Sequence, residues 1–446
     1  LRGRAFLVKY SVVTFGCRVN QADSLGFEEQ LRASGGTSTA VEAADVVVVN
    51  TCSVTASADQ GARQTIRRIA RVNPGAQIVV TGCFATRDEA QVTALAANTR
   101  VVRNDDKPDL VSIIRRGRPL LEVPAPWHTP DTAARFGDGD GGCGAPIEPG
   151  VAGRTAFTLR VQTGCAQPCS YCIIPETRGT PRSVPVLHAL DEVRRVRNAG
   201  FKEVALTGVH LGSFGRDLDP PSTLLQLLQA LDNEFGAKGR GGEPEVLFRI
   251  SSLEPVDCTP DIVDLVSESV AFAPHFHLPL QHASPRMLAA MRRPYSVEQY
   301  ASLLESIRRR MPHASIGTDL IVGFPGESDE DFEMLASYLE QSSLTHVHVF
   351  PYSDRPGTAA SRMGDRPVGA AVKARGARLR EIGSRLTRRF LQSQVGTVHR
   401  ALTLEDGTLA VTGNYLKVRI PPGRARNEWV RLRITSASPA LTGEVI

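Results

Sequence analysis

Long apolar runs are missing from this chain of 446 residues: nothing in it approaches the ~18 consecutive apolar residues of a membrane-spanning helix. Charge of one sign is also missing. Lys and Arg total 52 against 47 Asp and Glu, and a net charge of +5 over this length names no nucleic-acid partner by itself, so charge has to be read locally. Cysteine is scarce, with eight residues too dilute for a disulfide-stapled secreted scaffold. The first ten residues mix Arg2, Arg4 and Lys9 with apolar residues and lack a long apolar segment ending in a small-residue cleavage site. The expectation is a cytoplasmic protein whose cysteines serve metal binding or catalysis.

What is present is a multidomain α/β pattern. Three times in the first hundred residues a β-branched run leads to a cysteine: Val12 and Val13 to Cys17, Val46 to Asn50 to Cys52, and Ile78 to Gly82 to Cys83. Short continuous apolar runs suit parallel strands buried on both faces, and the stretches at 21–34 and 57–72 are long enough for crossover helices. Open sheets of this kind hold ligands beyond the carboxyl ends of their strands, so the three cysteines are expected to converge on one site.

From about 123 to 156 the chain turns rich in Pro, Gly and Asp and reads as a linker, with Cys143 incidental. Six strand-like runs follow, at 157–161, 203–207, 246–251, 275–280, 316–322 and 345–350. They alternate with helical stretches, as in a parallel, partly closed (β/α)6 barrel. A charged helix is expected over about 370–394, and from 397 short alternating runs read as a small antiparallel β-barrel. The expected units are 1–122, a linker over 123–156, 157–393 and 394–446.

The strongest local signal is Cys165-Ala166-Gln167-Pro168-Cys169-Ser170-Tyr171-Cys172, directly after the first barrel strand. One loop of this spacing wraps three thiolates around one metal centre. Zinc asks for a fourth protein ligand, and no fourth cysteine or histidine lies at zinc-like spacing. A four-iron cluster held by three cysteines leaves one iron open to an external ligand.

This loop, in this place, resembles that of the radical S-adenosylmethionine superfamily. The segments Thr14–Asn20, Asn50–Thr55, Gly82-Cys83, Gln162–Cys165, Pro175–Gly179, Leu206–Gly212, His277–Gln281 and Asp319–Glu327 are similar to those of the methylthiotransferases. A TRAM-like C-terminal barrel around Asn414–Val418 extends the likeness over nearly the whole chain. The resemblance implies two [4Fe-4S] clusters. Cys165, Cys169 and Cys172 would hold the one that cleaves S-adenosyl-L-methionine to a radical, and Cys17, Cys52 and Cys83 an auxiliary one carrying the sulfur to be inserted. It also implies a sulfur donor and a reductant, which the sequence does not identify. Tyr171 falls where family members shelter the adenine, and it equally reads as a loop aromatic packing on the barrel. Gly208 either approaches the cofactor or makes a turn. His275, His277, His282, His346 and His348 read as core or hydrogen-bonding residues, and Cys258 as structural.

Residues 373–389 carry seven basic residues against Glu381 alone, and the helix leads into a barrel of the oligonucleotide-binding kind. Arg385, Arg388 and Arg389 are the expected RNA contacts. Arg63, Arg67 and Arg71 share a second helical face. Within the family, segments 15–20 and 175–179 look most like the branch that acts on N6-threonylcarbamoyladenosine 37 in the tRNA anticodon loop. Arg178 and Arg182 are candidates for the carboxylate of that substrate, or for a phosphate or the cofactor. Isopentenyladenosine 37 is the alternative substrate, and an iron–sulfur RNA-binding or sulfur-relay protein without radical chemistry is the alternative class.

Overall fold

The computed structural model describes residues 8–116, 155–236 and 244–446. Almost all of the expected linker, including Cys143, lies outside them.

The N-terminal unit is a five-stranded parallel sheet in the order β2-β1-β3-β4-β5, made of β1 (Lys9–Thr14), β2 (Thr37–Ser38), β3 (Val46–Thr51), β4 (Gln77–Gly82) and β5 (Thr99–Val101). The helices are α1 (Arg18–Ala33), α2 (Ala56–Val72), the short α3 (Cys83–Arg87) and α4 (Glu89–Thr93), and α5 (Leu110–Arg116). Strand β3 shows why an unbroken valine run is stable here. Val47 and Val49 pack with Ile66 and Ile69 of α2, whereas Val46 and Val48 pack on the other face with Phe27 of α1 and Leu110 of α5.

The central unit is a partial barrel of six parallel strands: β6 (Ala156–Arg160), β9 (Glu203–Thr207), β10 (Leu247–Ile250), β11 (His275–His277), β12 (Ser315–Val322) and β13 (His346–Pro351). Its two three-stranded halves meet through bridges Phe248–Phe272 and Ser252–His277. A hairpin of β7 (Gln162–Thr163) with β8 (Arg182–Ser183) closes the cysteine loop, which contains α6 (Ile174–Arg178). Helices α7 (Val186–Asn198), α8 (Leu224–Phe235), α9 (Pro260–Glu268), α10 (Pro285–Ala290), α11 (Val297–Arg310) and α12 (Asp329–Gln341) alternate with the strands. Capping boxes at Thr223, Ser296 and Ser328 fix where α8, α11 and α12 begin.

Helix α13 (Gly369–Ser393) packs against α12 and β13 and leads to a closed barrel of β14 (Val398–Leu404), β15 (Leu409–Thr412), β16 (Lys417–Arg419), β17 (Trp429–Ser436) and β18 (Thr442–Val445). It is not wholly antiparallel as expected, because β16 and β18 meet in parallel at Arg419–Thr442. No described helix is long and apolar enough to cross a membrane.

Candidate active site

β1, β3 and β4 are neighbours in register, Thr14 beside Asn50 and Thr51 beside Gly82, so Cys17, Cys52 and Cys83 emerge together at one edge of the sheet. Two glycines make the approach close enough. Gly16, at φ +91°, would place a Cβ 2.4 Å from the Cβ of Cys52, and Gly82, at φ +97°, would place one 2.1 Å from the carbonyl oxygen of Thr51. Burial and the neighbouring Cys17 push the Cys52 thiol up to about 12. Burial would also raise Cys83, but Arg178 and Lys107 outweigh it and hold the thiol below its ordinary value.

Arg178 is thereby accounted for. It is buried, bonds Asn20 and Cys83, and lies 3.6 Å from Asp23. Asp23 of α1 is itself ringed by Lys107, Arg160 of β6 and Arg178, so one buried acid joins the N-terminal sheet to the barrel. Burial opposes its charge, yet the three cations hold the carboxyl down at about 2. Arg182 is partly exposed and pairs with Asp105 at 3.3 Å. Asn104 completes the junction by donating to the Thr177 carbonyl at 2.7 Å.

The second cysteine set lies on the loop after β6, and sequence reading missed the two side chains that hold it. Arg293 donates to Cys169 Sγ at 3.2 Å and to Tyr171 Oη at 3.4 Å, and it pairs with Glu254. His210, from the Leu206–Gly212 segment, bonds Asp257 at 2.8 Å and also partners Cys165; burial opposes its charged form, but these partners raise it to about 9. Tyr171 packs in an apolar cluster with Met287, Met291 and Phe324. A side chain at Gly208 would meet Leu211 at 2.8 Å and Gln162 at 3.0 Å, so the tight turn after β9 needs glycine there.

The inner face of the barrel strands β11 to β13 is polar. Phe276, Ile316 and Leu320 belong to the helix-facing core, so His275, His277, Asp319, His346 and His348 point inward. His277 and His348 both reach Asp319 Oδ1 at 3.1 Å, and buried His282 reaches Glu327 at 3.2 Å, which bears out hydrogen-bonding roles. Cys258 is buried in the core.

Part of the surplus charge on α13 is matched by acids on and just before α12, which sequence counting cannot see. Arg375 pairs with Glu327 and Asp329, Arg378 with Glu333, and Arg385 with Glu340 and Glu381, while Arg389 donates to the Ser342 carbonyl. Arg388 stays exposed, as do Lys417 and Arg419 on the barrel. Arg63 is drawn over Phe84 and bonds Gln91, leaving Arg67 and Arg71 outward. Arg388, Lys417 and Arg419 are where the expected RNA contact is tested: if RNA lies on this face, neutralising them flattens the salt dependence of its binding by roughly 0.7–0.9 in log–log slope for each phosphate that a removed cation had neutralised. Neutralising Arg385 alone should change it less, because its charge is already paired.

One cysteine set thus stands at the strand ends of a parallel sheet and the other on the first loop of a partial (β/α)6 barrel. Residues 9–103 match the model "Uncharacterized protein family UPF0004", and residues 159–339 match that of the radical SAM superfamily. The threonylcarbamoyladenosine tRNA methylthiotransferase MtaB of Aquifex aeolicus (strain VF5) is 34% identical over 426 residues, covering 92% of this chain and 96% of its own. The tRNA-2-methylthio-N(6)-dimethylallyladenosine synthase of Clavibacter michiganensis is 32% identical over 453 residues, 96% of this chain and 82% of its own. Among solved structures, the radical S-adenosylmethionine methyltransferase TsrM from Kitasatospora setae, with cobalamin and a [4Fe-4S] cluster bound, superposes with a TM-score of 0.57. At 15% identity over 80% of this chain and 77% of that one, it shares the fold. The chain belongs to the radical SAM methylthiotransferase family. It is an enzyme of iron–sulfur and S-adenosylmethionine chemistry, which sets the non-catalytic reading aside.

Proposed function

We propose that this enzyme converts N6-threonylcarbamoyladenosine at position 37 of tRNA to its 2-methylthio derivative. The observation that carries the substrate is the likeness, over nine-tenths of the chain, to enzymes named for it in Aquifex aeolicus and, at 31% identity, Bacillus subtilis. Cys165, Cys169 and Cys172 would hold one [4Fe-4S] cluster and Cys17, Cys52 and Cys83 a second; both donor sets fit, since three thiolates leave one iron of each cluster open. Bound there, the clusters and S-adenosylmethionine would supply the radical and the sulfur that functionalising an aromatic C–H requires, beyond the reach of any side-chain base.

The chain's own residues orient these groups. Arg293 and His210 fix Cys169 and Cys165, and Arg178 with Lys107 stabilises the thiolate of Cys83. Tyr171 and Gly208 would wall the cofactor's side of the barrel. The target base has to leave its stack to reach the barrel's inner face, which suits an anticodon loop. Units over 1–122, 157–393 and 394–446 would then supply sulfur, radical and RNA grip, with a cytoplasmic sulfur donor and reductant serving turnover. Nucleosides from tRNA of a strain lacking this protein should lose the 2-methylthio form of threonylcarbamoyladenosine and accumulate its precursor. Loss of 2-methylthio-isopentenyladenosine instead would assign the protein to the sister branch.

A further inference from the structure

Directly after Cys17 stands Arg18, the first residue of α1, and its side chain leaves the N-terminal unit altogether. It donates to the hydroxyl of Tyr415 at 3.1 Å, across 397 residues of sequence, with its guanidinium carbon 6.0 Å from the ring centre. Tyr415 comes from the C-terminal barrel and is held at φ +67°, a backbone state that costs a ring-bearing residue energy and persists only where its surroundings impose it. Its ring lies against the barrel, with the Arg249 guanidinium 4.4 Å and the His275 ring 5.0 Å from its centre. All three units thus contribute a side chain to one spot beside Cys17.

Two groups at that spot are short of partners. Arg249 is committed, bonding Glu203 and the Gly413 carbonyl, but among the described residues no acid pairs with Arg18. His275 is only 7% exposed, and its Nδ1 has no hydrogen-bond partner. Burial and the nearby cations, Arg18 among them, hold its imidazole neutral. An unpaired guanidinium next to a neutral, buried ring nitrogen suits a small group that carries a carboxylate together with a neutral polar atom. It does not suit a hydrocarbon, which would desolvate both and satisfy neither.

We propose that Arg18, held by Tyr415, binds the carboxylate of the substrate's N6-threonylcarbamoyl group, with His275 Nδ1 meeting one of its neutral polar atoms. The inference rests on the reading of threonylcarbamoyladenosine as substrate and names the residues that select it. Arg178, engaged with Asp23, Asn20 and Cys83, is displaced from that role.

The test uses the reconstituted holoenzyme and three anticodon stem-loops, bearing unmodified adenosine 37, threonylcarbamoyladenosine 37, or the same nucleoside with its carboxylate converted to the methyl amide. The wild type should bind the carboxylate form more tightly than the other two by about tenfold to a hundredfold, the range of one charge-assisted bidentate contact. Arg18→Gln should erase that preference, so that the three stem-loops bind with affinities alike within about twofold. Arg18→Lys should retain part of it, and Tyr415→Phe, which loses only the hydroxyl that positions Arg18, should weaken it less than Arg18→Gln does. If wild type methylthiolates the carboxylate form and Arg18→Gln keeps the full preference, the assignment of Arg18 is overturned while the substrate stands. If wild type neither prefers nor modifies that form, the substrate reading falls and takes this inference with it.

Discussion

Replacing Cys17, Cys52 and Cys83 together by Ala should halve the iron of the anaerobically reconstituted protein, from about eight to about four per chain. Reductive cleavage of S-adenosylmethionine should continue and methylthio transfer should cease. The expectation follows from two thiolate sets on different elements, one at the ends of β1, β3 and β4 and the other on the loop after β6, so that emptying one leaves the ligands of the other intact. The converse variant, with Ala at Cys165, Cys169 and Cys172, should also lose half the iron and all cofactor cleavage. A full iron load in the first variant, measured with unchanged circular dichroism, would show that those cysteines hold no cluster.

Asp23→Asn should cost about 3–5 kcal/mol, because it leaves Lys107, Arg160 and Arg178 buried together without their acid. The loss should concentrate where the N-terminal unit meets the barrel, read as a lowered urea midpoint and faster amide exchange in α1 and β6. Asp191→Asn is the contrast. Its pair with Arg194 is solvent-exposed, and its removal should leave the urea midpoint nearly where it was. The same carboxylate sets an acid limit. Held at about 2 against an ordinary 3.8, Asp23 contributes fully above pH ~4, and its contribution fades as pH falls through its folded value. An Asp23→Asn protein as stable as its parent would mean that the junction is held by something else.

The sequence revealed most of what repeats. The valine run at 46–49 and the β/α alternation after residue 156 carry a period, and the observed strands depart from the expected runs mainly at their ends, most of all at 275–280, where β11 stops at His277. The cysteine sets were legible because Cys17, Cys52 and Cys83 each follow a strand end within three residues, and Cys165, Cys169 and Cys172 crowd one loop. What joins these parts was not legible. Asp23 with Arg160 and Arg18 with Tyr415 pair residues 137 and 397 positions apart, and no local pattern couples such positions. The partners of the basic run on α13 were hidden for the same reason, since the acids that pair with Arg375, Arg378 and Arg385 come mostly from on and just before α12. His210 lies inside the recognisable Leu206–Gly212 segment, but its bond to Cys165 exists only once the β9 turn folds beside the cluster loop.

The most direct test offers the reconstituted, reduced holoenzyme with S-adenosylmethionine two tRNAs, one bearing threonylcarbamoyladenosine 37 and the other isopentenyladenosine 37, with nucleoside masses read after digestion. A methylthio mass increment on the threonylcarbamoyl nucleoside alone is the expected result. The increment on the isopentenyl nucleoside alone would contradict the account.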